Sequence, residues 1–207
     1  MTVYALKPRF QDLLRPFAES LPRAGVTANM VTVAAALGSV LVGVVTAWLA
    51  AWRPAFLIIA VWLLVRMALN AIDGMLAREF HQRSVLGGYL NEIGDVVSDA
   101  ALYAPFAFVA PFRSAGIGLV IVLSTLAEFA GALGPTMGAS RRYDGPMGKS
   151  DRAVVFGALG LGIGCLTPIP EWLGWAVPIL TALLVLTVVN RVRAGIGEAK
   201  SKGSGSP

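Results

Sequence analysis

Hydrophobic positions gather into six long runs separated by short polar intervals. The runs cover approximately Asn29–Trp52, Pro54–Ala77, Gly87–Pro111, Gly116–Met137, Ala153–Thr167 and Trp172–Val189, the fifth being the shortest. A helix needs roughly 20 apolar residues to cross a bilayer, so the pattern predicts six transmembrane helices. Ahead of them, Phe10, Leu13, Leu14, Phe17 and Leu21 recur at helical spacing, with Asp12, Arg15 and Glu19 on the opposite side. That spacing predicts an amphipathic helix, either lying on a leaflet or packing against the protein, and Pro16 predicts a kink in it. The first apolar run begins too late and is too long for a cleaved signal peptide. The expected organisation is a juxtamembrane helix over 1–25, a six-helix membrane domain over 26–195 and a flexible tail over 196–207.

Composition strengthens this reading. Hydrophobic residues make up 56% of the chain and charged residues 14%, against about 45–50% and about 25% in ordinary soluble domains. The chain is therefore read as an all-α integral membrane protein. The lone Cys165 excludes an intramolecular disulfide or a thiolate metal cluster. A formal charge of +5 would draw attention to nucleic acid, but the positions of the cations point elsewhere. Fourteen lysines and arginines fall before the first run, in alternate connections, or after the sixth; only Arg53 and Arg113 fall on the opposite side, and Arg66 lies inside a run. By the positive-inside rule both termini face the cytoplasm. Anionic headgroups or phosphates, not nucleic acid, are the partners that such a basic face predicts.

The polar residues inside the runs carry the candidate chemistry. Asn70, Asp73 and Ala77 share one face of the second helix; Asn91, Asp95 and Asp99 share one face of the third, with Glu92 beside them. The short connection "REFHQRSVL" predicts that the two helices are antiparallel neighbours, with Asp73 level with Glu92, Asn70 with Asp95 and Arg66 with Asp99. Ionisable groups in a span cost about 2.5–3.5 kcal/mol each on insertion scales, and converging carboxylates take up protons unless a cation sits among them. An all-oxygen set suits a hard divalent ion such as Mg²⁺, which commonly bridges to phosphates. His81, the only histidine, lies in the connection, so a histidine or thiolate zinc site is not expected. Gly74, Gly87, Gly88 and Gly94 permit close approach of a ligand or of another helix. Arg66 and Asp99 are expected to form a buried ion pair that fixes the hairpin. Glu128, in the middle of the fourth run, either completes the cavity or holds a hydrogen-bond network.

At these residues the chain resembles the CDP-alcohol phosphotransferase (CDP-alcohol phosphatidyltransferase) family. The family pattern is D-x-x-D-G-x-x-A-R, eight or nine residues, then G-x-x-x-D-x-x-x-D. Asp73, Gly74, Ala77 and Arg78 match it; eight residues separate Arg78 from Gly87, and Asn91 and Asp95 follow in register. "VTANMVT" before the first run is similar to the family's T-P-N-x-x-T, with Ala28 for proline. Asn70 and Asn91 depart from the pattern, standing at two positions that are usually acidic and help hold a pair of metal ions.

The resemblance implies transfer of a phosphatidyl group from CDP-diacylglycerol to a polar alcohol, with release of CMP. It implies Asp95 as general base, Mg²⁺ or Mn²⁺ held by Asp73, Asn91, Asp95 and Asn70, and a nucleotide lined by Gly74, Ala77, Arg78 and Gly87. It also implies a homodimer in a membrane, the bacterial inner membrane above all, with its active site facing the cytoplasm. Arg141, Arg142, Lys149 and Arg152 lie in the turn-rich segment "SRRYDGPMGKSDRA". They either obey the positive-inside rule alone or form a pocket for a phosphorylated alcohol such as glycerol 3-phosphate. Two other classes remain: a transporter for a small ion or solute, which predicts polar groups spread through the membrane depth, and a non-catalytic family member, which the two asparagines favour.

Overall fold

The computed structural model describes residues 7–203. Residues 1–6 of the juxtamembrane segment and 204–207 of the tail lie outside the described residues, as do the side chains of residues 7–9. Seven α-helices follow one another: α1 Lys7–Ser20, α2 Ala28–Trp48, α3 Phe56–Glu79, α4 Val85–Tyr103, α5 Ser114–Ala132, α6 Lys149–Cys165 and α7 Ala176–Gly203. Among the described residues there is no strand.

Local chemistry sets the boundaries. Thr27 caps α2 by accepting from the Met30 amide at 3.3 Å, and Ser84 caps α4 by accepting from the Gly87 amide at 2.9 Å. α4 stops at Tyr103 and gives way to a 3-10 turn over Ala104–Phe108, short of the expected Pro111, because Pro105 supplies no amide to continue the ladder. The expected fourth run is cut at Ala132 by the Gly134-Pro135 pair in the same way.

Four of the helices are long and apolar enough to cross a membrane: α2, α3 with its preceding turn, α5, and α7 with its preceding turn. α4 carries Glu92, Asp95 and Asp99, and α6 is only 17 residues long. The chain is thus an all-helical membrane protein whose two remaining apolar segments are the polar and the short one.

Three expectations change. α1 runs on through Pro16, and its Leu14 and Ala18 pack with Leu21 against Ile72, Met75 and Leu76 of α3, while Leu13 and Phe17 point outward. The helix therefore packs one apolar strip on the protein and leaves another exposed. α7 continues to Gly203, through most of the expected tail. Glu198 anchors it there, pairing with Lys202 one turn on and with Arg142 and Ser140 of the loop before α6. Finally, α3 and α4 are not a packed hairpin. α2 packs against both of them, whereas their own backbones scarcely approach one another. Gly43 permits the tight α2–α4 crossing, since a Cβ there would lie 2.2 Å from the Ala101 carbonyl oxygen. The gap between α3 and α4 is bridged by side chains, and the site lies there.

An aromatic core closes one end of that gap. The Tyr103 and Phe156 rings stack with centroids 3.7 Å apart, and Phe106 meets Phe56 and Phe156 edge-on at 5.2 Å. Each such pair contributes about 0.5–1.5 kcal/mol beyond area burial. Tyr103 follows Asp99 by one turn, and Phe156 follows Arg152 by one turn, so the apolar seal and the charged cluster share the same two helices.

Candidate active site

The site begins at the N-terminus of α2. Thr32 Oγ1 donates to Asp73 Oδ2 at 2.9 Å, carrying the buried carboxylate of α3 on a hydroxyl of α2. Nearby, Asn29 Nδ2 donates to Ser84 Oγ at 3.3 Å, and the Ala28 amide donates to Gln82 Oε1 at 2.7 Å. "VTANMVT" thus braces the α3–α4 connection at Gln82 and Ser84 and positions one of the two motif acids. Sequence reasoning noted the segment but gave Thr32 no role; its signal was the threonine five residues after Thr27, on the face that meets α3.

The second motif acid sits among cations. Asp95 Oδ1 accepts from Lys149 Nζ at 2.5 Å and lies 3.3 Å from Arg66 Nη2. Among the described residues Asp95 Oδ2 has no partner. Arg66 Nη1 pairs with Asp99 Oδ1, as the sequence predicts, and Arg152 takes the other oxygen, Oδ2, through Nε at 3.1 Å and Nη2 at 2.8 Å. Arg152 Nη2 also reaches Glu128 Oε1 at 2.9 Å. Arg191 Nη1 lies 3.5 Å from the same oxygen and donates to the Ala127 carbonyl. Arg141 Nη2 pairs with Glu92 at 2.7 Å and lies 3.5 Å from Glu128 Oε2. One ion-pair network therefore links α3, α4, α5, α6, α7 and the loop before α6.

The expected site residues separate into groups. Asn70 and Asn91 are half-buried on α3 and α4. Arg78 is exposed, folds over Gly74, where a Cβ would lie 3.1 Å from Nη2, and makes no ion pair among the described residues. Gly87 faces Asn29, whose Oδ1 would lie 2.6 Å from a Cβ at that position. Ala77 is half-buried one turn beyond Asp73.

Of the four basic residues expected to bind the acceptor, Arg141 and Lys149 lie in the network. Arg142 is turned away, paired with Asp144 at 2.8 and 3.0 Å and with Glu198. Its hydrogen bonds hold the Asp144 carboxyl below the usual carboxylate range. Arg152 lies deepest in the network: its side chain is 0% exposed and engaged by Asp99, Glu128 and the Met147 carbonyl. Arg191 was counted from sequence only as a topology charge, yet it is buried against Glu128. No local signal distinguishes it from the neighbouring Arg193.

The family model for CDP-alcohol phosphatidyltransferase matches residues 25–190. The chain belongs to the CDP-alcohol phosphatidyltransferase family. It is 45% identical over 197 residues to the inner membrane protein YnbA of Escherichia coli K12, covering 94% of this chain and 96% of that one. It is 28% identical over 199 residues to the phosphatidylinositol phosphate synthase of Mycolicibacterium smegmatis, covering 89% and 84%. In fold it resembles the Mycobacterium tuberculosis phosphatidylinositol phosphate synthase in complex with manganese and citrate, with a TM-score of 0.71 and 22% identity, over 87% of each chain. The same synthase with CDP-diacylglycerol bound gives a TM-score of 0.70 at 21% identity, over 87% of this chain and 92% of the other.

CDP-alcohol phosphatidyltransferases transfer phosphatidyl groups and are metal-dependent. Whether this chain suits an ion depends on its oxygens. Among the described residues no group of three or more histidines, cysteines and acids gathers into a metal-binding cluster. What remains is Asp73 and Asp95 with the side-chain carbonyls of Asn70 and Asn91. That set is all oxygen and carries two negative charges, which suits one hard divalent ion. A pair of such ions would exceed the charge of that set by two, next to Lys149 and Arg66, and would need an anionic ligand for balance.

Proposed function

We propose that this protein transfers the phosphatidyl group of CDP-diacylglycerol to a polar alcohol and releases CMP. The observation that carries the reading is the motif as folded: the two acids, Asp73 and Asp95, stand on either side of the α3–α4 gap, with unpaired Arg78 over Gly74 at its mouth. In this reading six helices span the membrane, α4 and α6 each turning an exposed apolar strip outward, and the site opens to the cytoplasm, where the basic connections lie.

Asp73 and Asp95, with the carbonyls of Asn70 and Asn91, would hold one Mg²⁺ or Mn²⁺. When bound, the ion neutralises charge on the diphosphate and makes CMP a better leaving group. Arg78 is free to bind the diphosphate, with Gly74, Ala77 and Gly87 giving the nucleotide close access to backbone. Asp95 Oδ2, the carboxylate oxygen without a protein partner, takes the proton of the acceptor hydroxyl. The hydroxyl oxygen bonds to the β-phosphorus, the bond from that phosphorus to the CMP oxygen breaks, and CMP departs with the electron pair. Lys149 and Arg66, both on Oδ1, hold the carboxylate and leave Oδ2 for the acceptor hydroxyl.

The test is CMP release from CDP-diacylglycerol by the protein in proteoliposomes with Mg²⁺ or Mn²⁺, over a panel of alcohols. Asp95→Asn is expected to lower the rate by about 10²–10⁴, the range for a positioned general base. If no alcohol accelerates CMP release over water, or Asp95→Asn releases CMP as fast as the unmodified protein, the reading fails.

A further inference from the structure

Three arginines from three different elements converge on one carboxylate. Glu128 Oε1 receives Arg152 Nη2 at 2.9 Å and lies 3.5 Å from Arg191 Nη1, while Oε2 lies 3.5 Å from Arg141 Nη2. Arg141 comes from the loop after α5, Arg152 from α6 and Arg191 from α7. A phosphomonoester carries about −1.5 to −2 charge at neutral pH and three acceptor oxygens, and clustered arginines are its usual receptor. In this chain the anion is built in. Glu128 is held one turn before the C-terminal end of α5 with its side chain 8% exposed, and Arg152 is further committed to Asp99.

The network is also near electrical balance. Arg66, Arg141, Lys149, Arg152 and Arg191 face Glu92, Asp95, Asp99 and Glu128. A phosphate added to the same arginines would stand against Glu128 at close range, and two anions sharing one site repel. The open edge of the gap is different: Glu92, 34% exposed, pairs with Arg141 through Oε2, and the carboxamides of Asn70 and Asn91 are half-buried beside the motif acids. Those groups suit hydroxyls and amines.

We infer that the acceptor is an alcohol carrying no phosphate, a polyol or an amino alcohol, and that Glu128 is the residue that excludes phosphorylated alcohols. This rests on the transferase reading above and replaces the phosphorylated acceptor that the basic loop alone predicts. Specificity of this kind works by repulsion, the unwanted substrate meeting a charge already in its place.

The experiment has two arms that fail separately. In the first, CMP release is measured with glycerol, inositol, serine and ethanolamine, and with glycerol 3-phosphate and inositol 1-phosphate. At least one unphosphorylated alcohol is expected to be used, and each phosphorylated alcohol is expected to give a kcat/KM at least about tenfold below its parent. A phosphorylated alcohol that outperforms its parent overturns the inference and leaves the transferase reading standing. No release with any alcohol overturns the transferase reading instead. The second arm needs no turnover: glycerol 3-phosphate is titrated against the protein in nanodiscs by calorimetry, without CDP-diacylglycerol. The unmodified protein is expected to show no saturable binding, and Glu128→Gln is expected to gain it. Saturable binding to the unmodified protein, or none to a folded Glu128→Gln variant, sinks the role given to Glu128. Should that variant not fold, the unmodified protein still decides the question.

Discussion

Lys149, the first residue of α6, places its ammonium 2.5 Å from Oδ1 of Asp95 on α4. A cation supplied by the chain thus occupies one oxygen of a carboxylate that the family motif assigns to a metal. In the proposed function, lysine and metal compete for Asp95. Replacing Lys149 by methionine, which keeps most of the apolar stem, is expected to tighten Mn²⁺ binding by roughly tenfold, the order of one charge-assisted hydrogen bond. Electron paramagnetic resonance of free Mn²⁺ reads this directly. An unchanged affinity would mean that Asp95 does not share in holding the ion.

Thr32 is the hydroxyl on which Asp73 depends, and Thr32→Val removes it at almost constant volume. Asp73 then keeps its place but loses its side-chain hydrogen bond. A bond to a charged group is worth about 1.5–3 kcal/mol net, so Mn²⁺ affinity is expected to weaken by roughly tenfold or more. Thr32→Ser should restore most of it. The thermal midpoint should move little, which separates positioning of Asp73 from a general loss of packing.

Asp99 has a different place, because it holds two buried arginines at once. Breaking a buried pair by removing one partner costs about 3–5 kcal/mol. Asp99→Ala leaves Arg66 with only Asp95, and Arg152 with Glu128 and a backbone carbonyl. The expected result is a fall of about 10 °C in the unfolding midpoint in detergent, on the scale of 2–4 °C per kcal/mol for a chain of this size. A midpoint within 2 °C or so of the unmodified protein would show that water or a neighbouring acid replaces Asp99.

Much of this was legible in the sequence, and the division has a physical basis. Apolar runs and the motif spacing located six of the helices and the pairing of Arg66 with Asp99, because both follow from helical periodicity along one or two elements. α2 packing against both α3 and α4 was not legible. It depends on Gly43 meeting the Ala101 backbone, a contact between residues far apart in the chain. The burial of Arg152 is not legible for the same reason. In sequence it belongs to a basic loop, but α6 begins at Lys149 and turns Arg152 inward onto Asp99 and Glu128. Glu128 and Arg191 were both visible as charges in or beside apolar runs, but the partner of each lies on another element.

The loop before α6 carries its own pH dependence. Hydrogen bonds from Arg142 lower the Asp144 carboxyl below its usual range. A depressed folded value means that the stabilisation is complete above the unfolded pKa of about 3.9 and is lost as pH falls through the folded value. Asp144 is 36% exposed, so solvent weakens the pair and the effect is local. A nitroxide at position 146, with Cys165 replaced, is expected to keep constant mobility from pH 8 to pH 5 and to loosen only below about pH 4. Asp144→Asn should loosen it already at neutral pH. Loosening that begins near pH 6 would implicate another group.

In the proposed function, Asn70 and Asn91 decide how many ions the site takes. With Asp73 and Asp95 they form a set of two charges, and Lys149 and Arg66 already stand on Asp95. The unmodified protein is expected to bind one Mn²⁺ per chain. Asn70→Asp with Asn91→Asp adds two negative charges in the same positions and is expected to raise the capacity towards two, since carboxylates are the usual ligands of such ions. CMP release should gain little from it, because Lys149 and Arg66 still supply positive charge at Asp95. Two ions in the unmodified protein, or a large rise in rate on restoring the acids, would mean that the lysine is a bystander and that the amides impair a two-metal site.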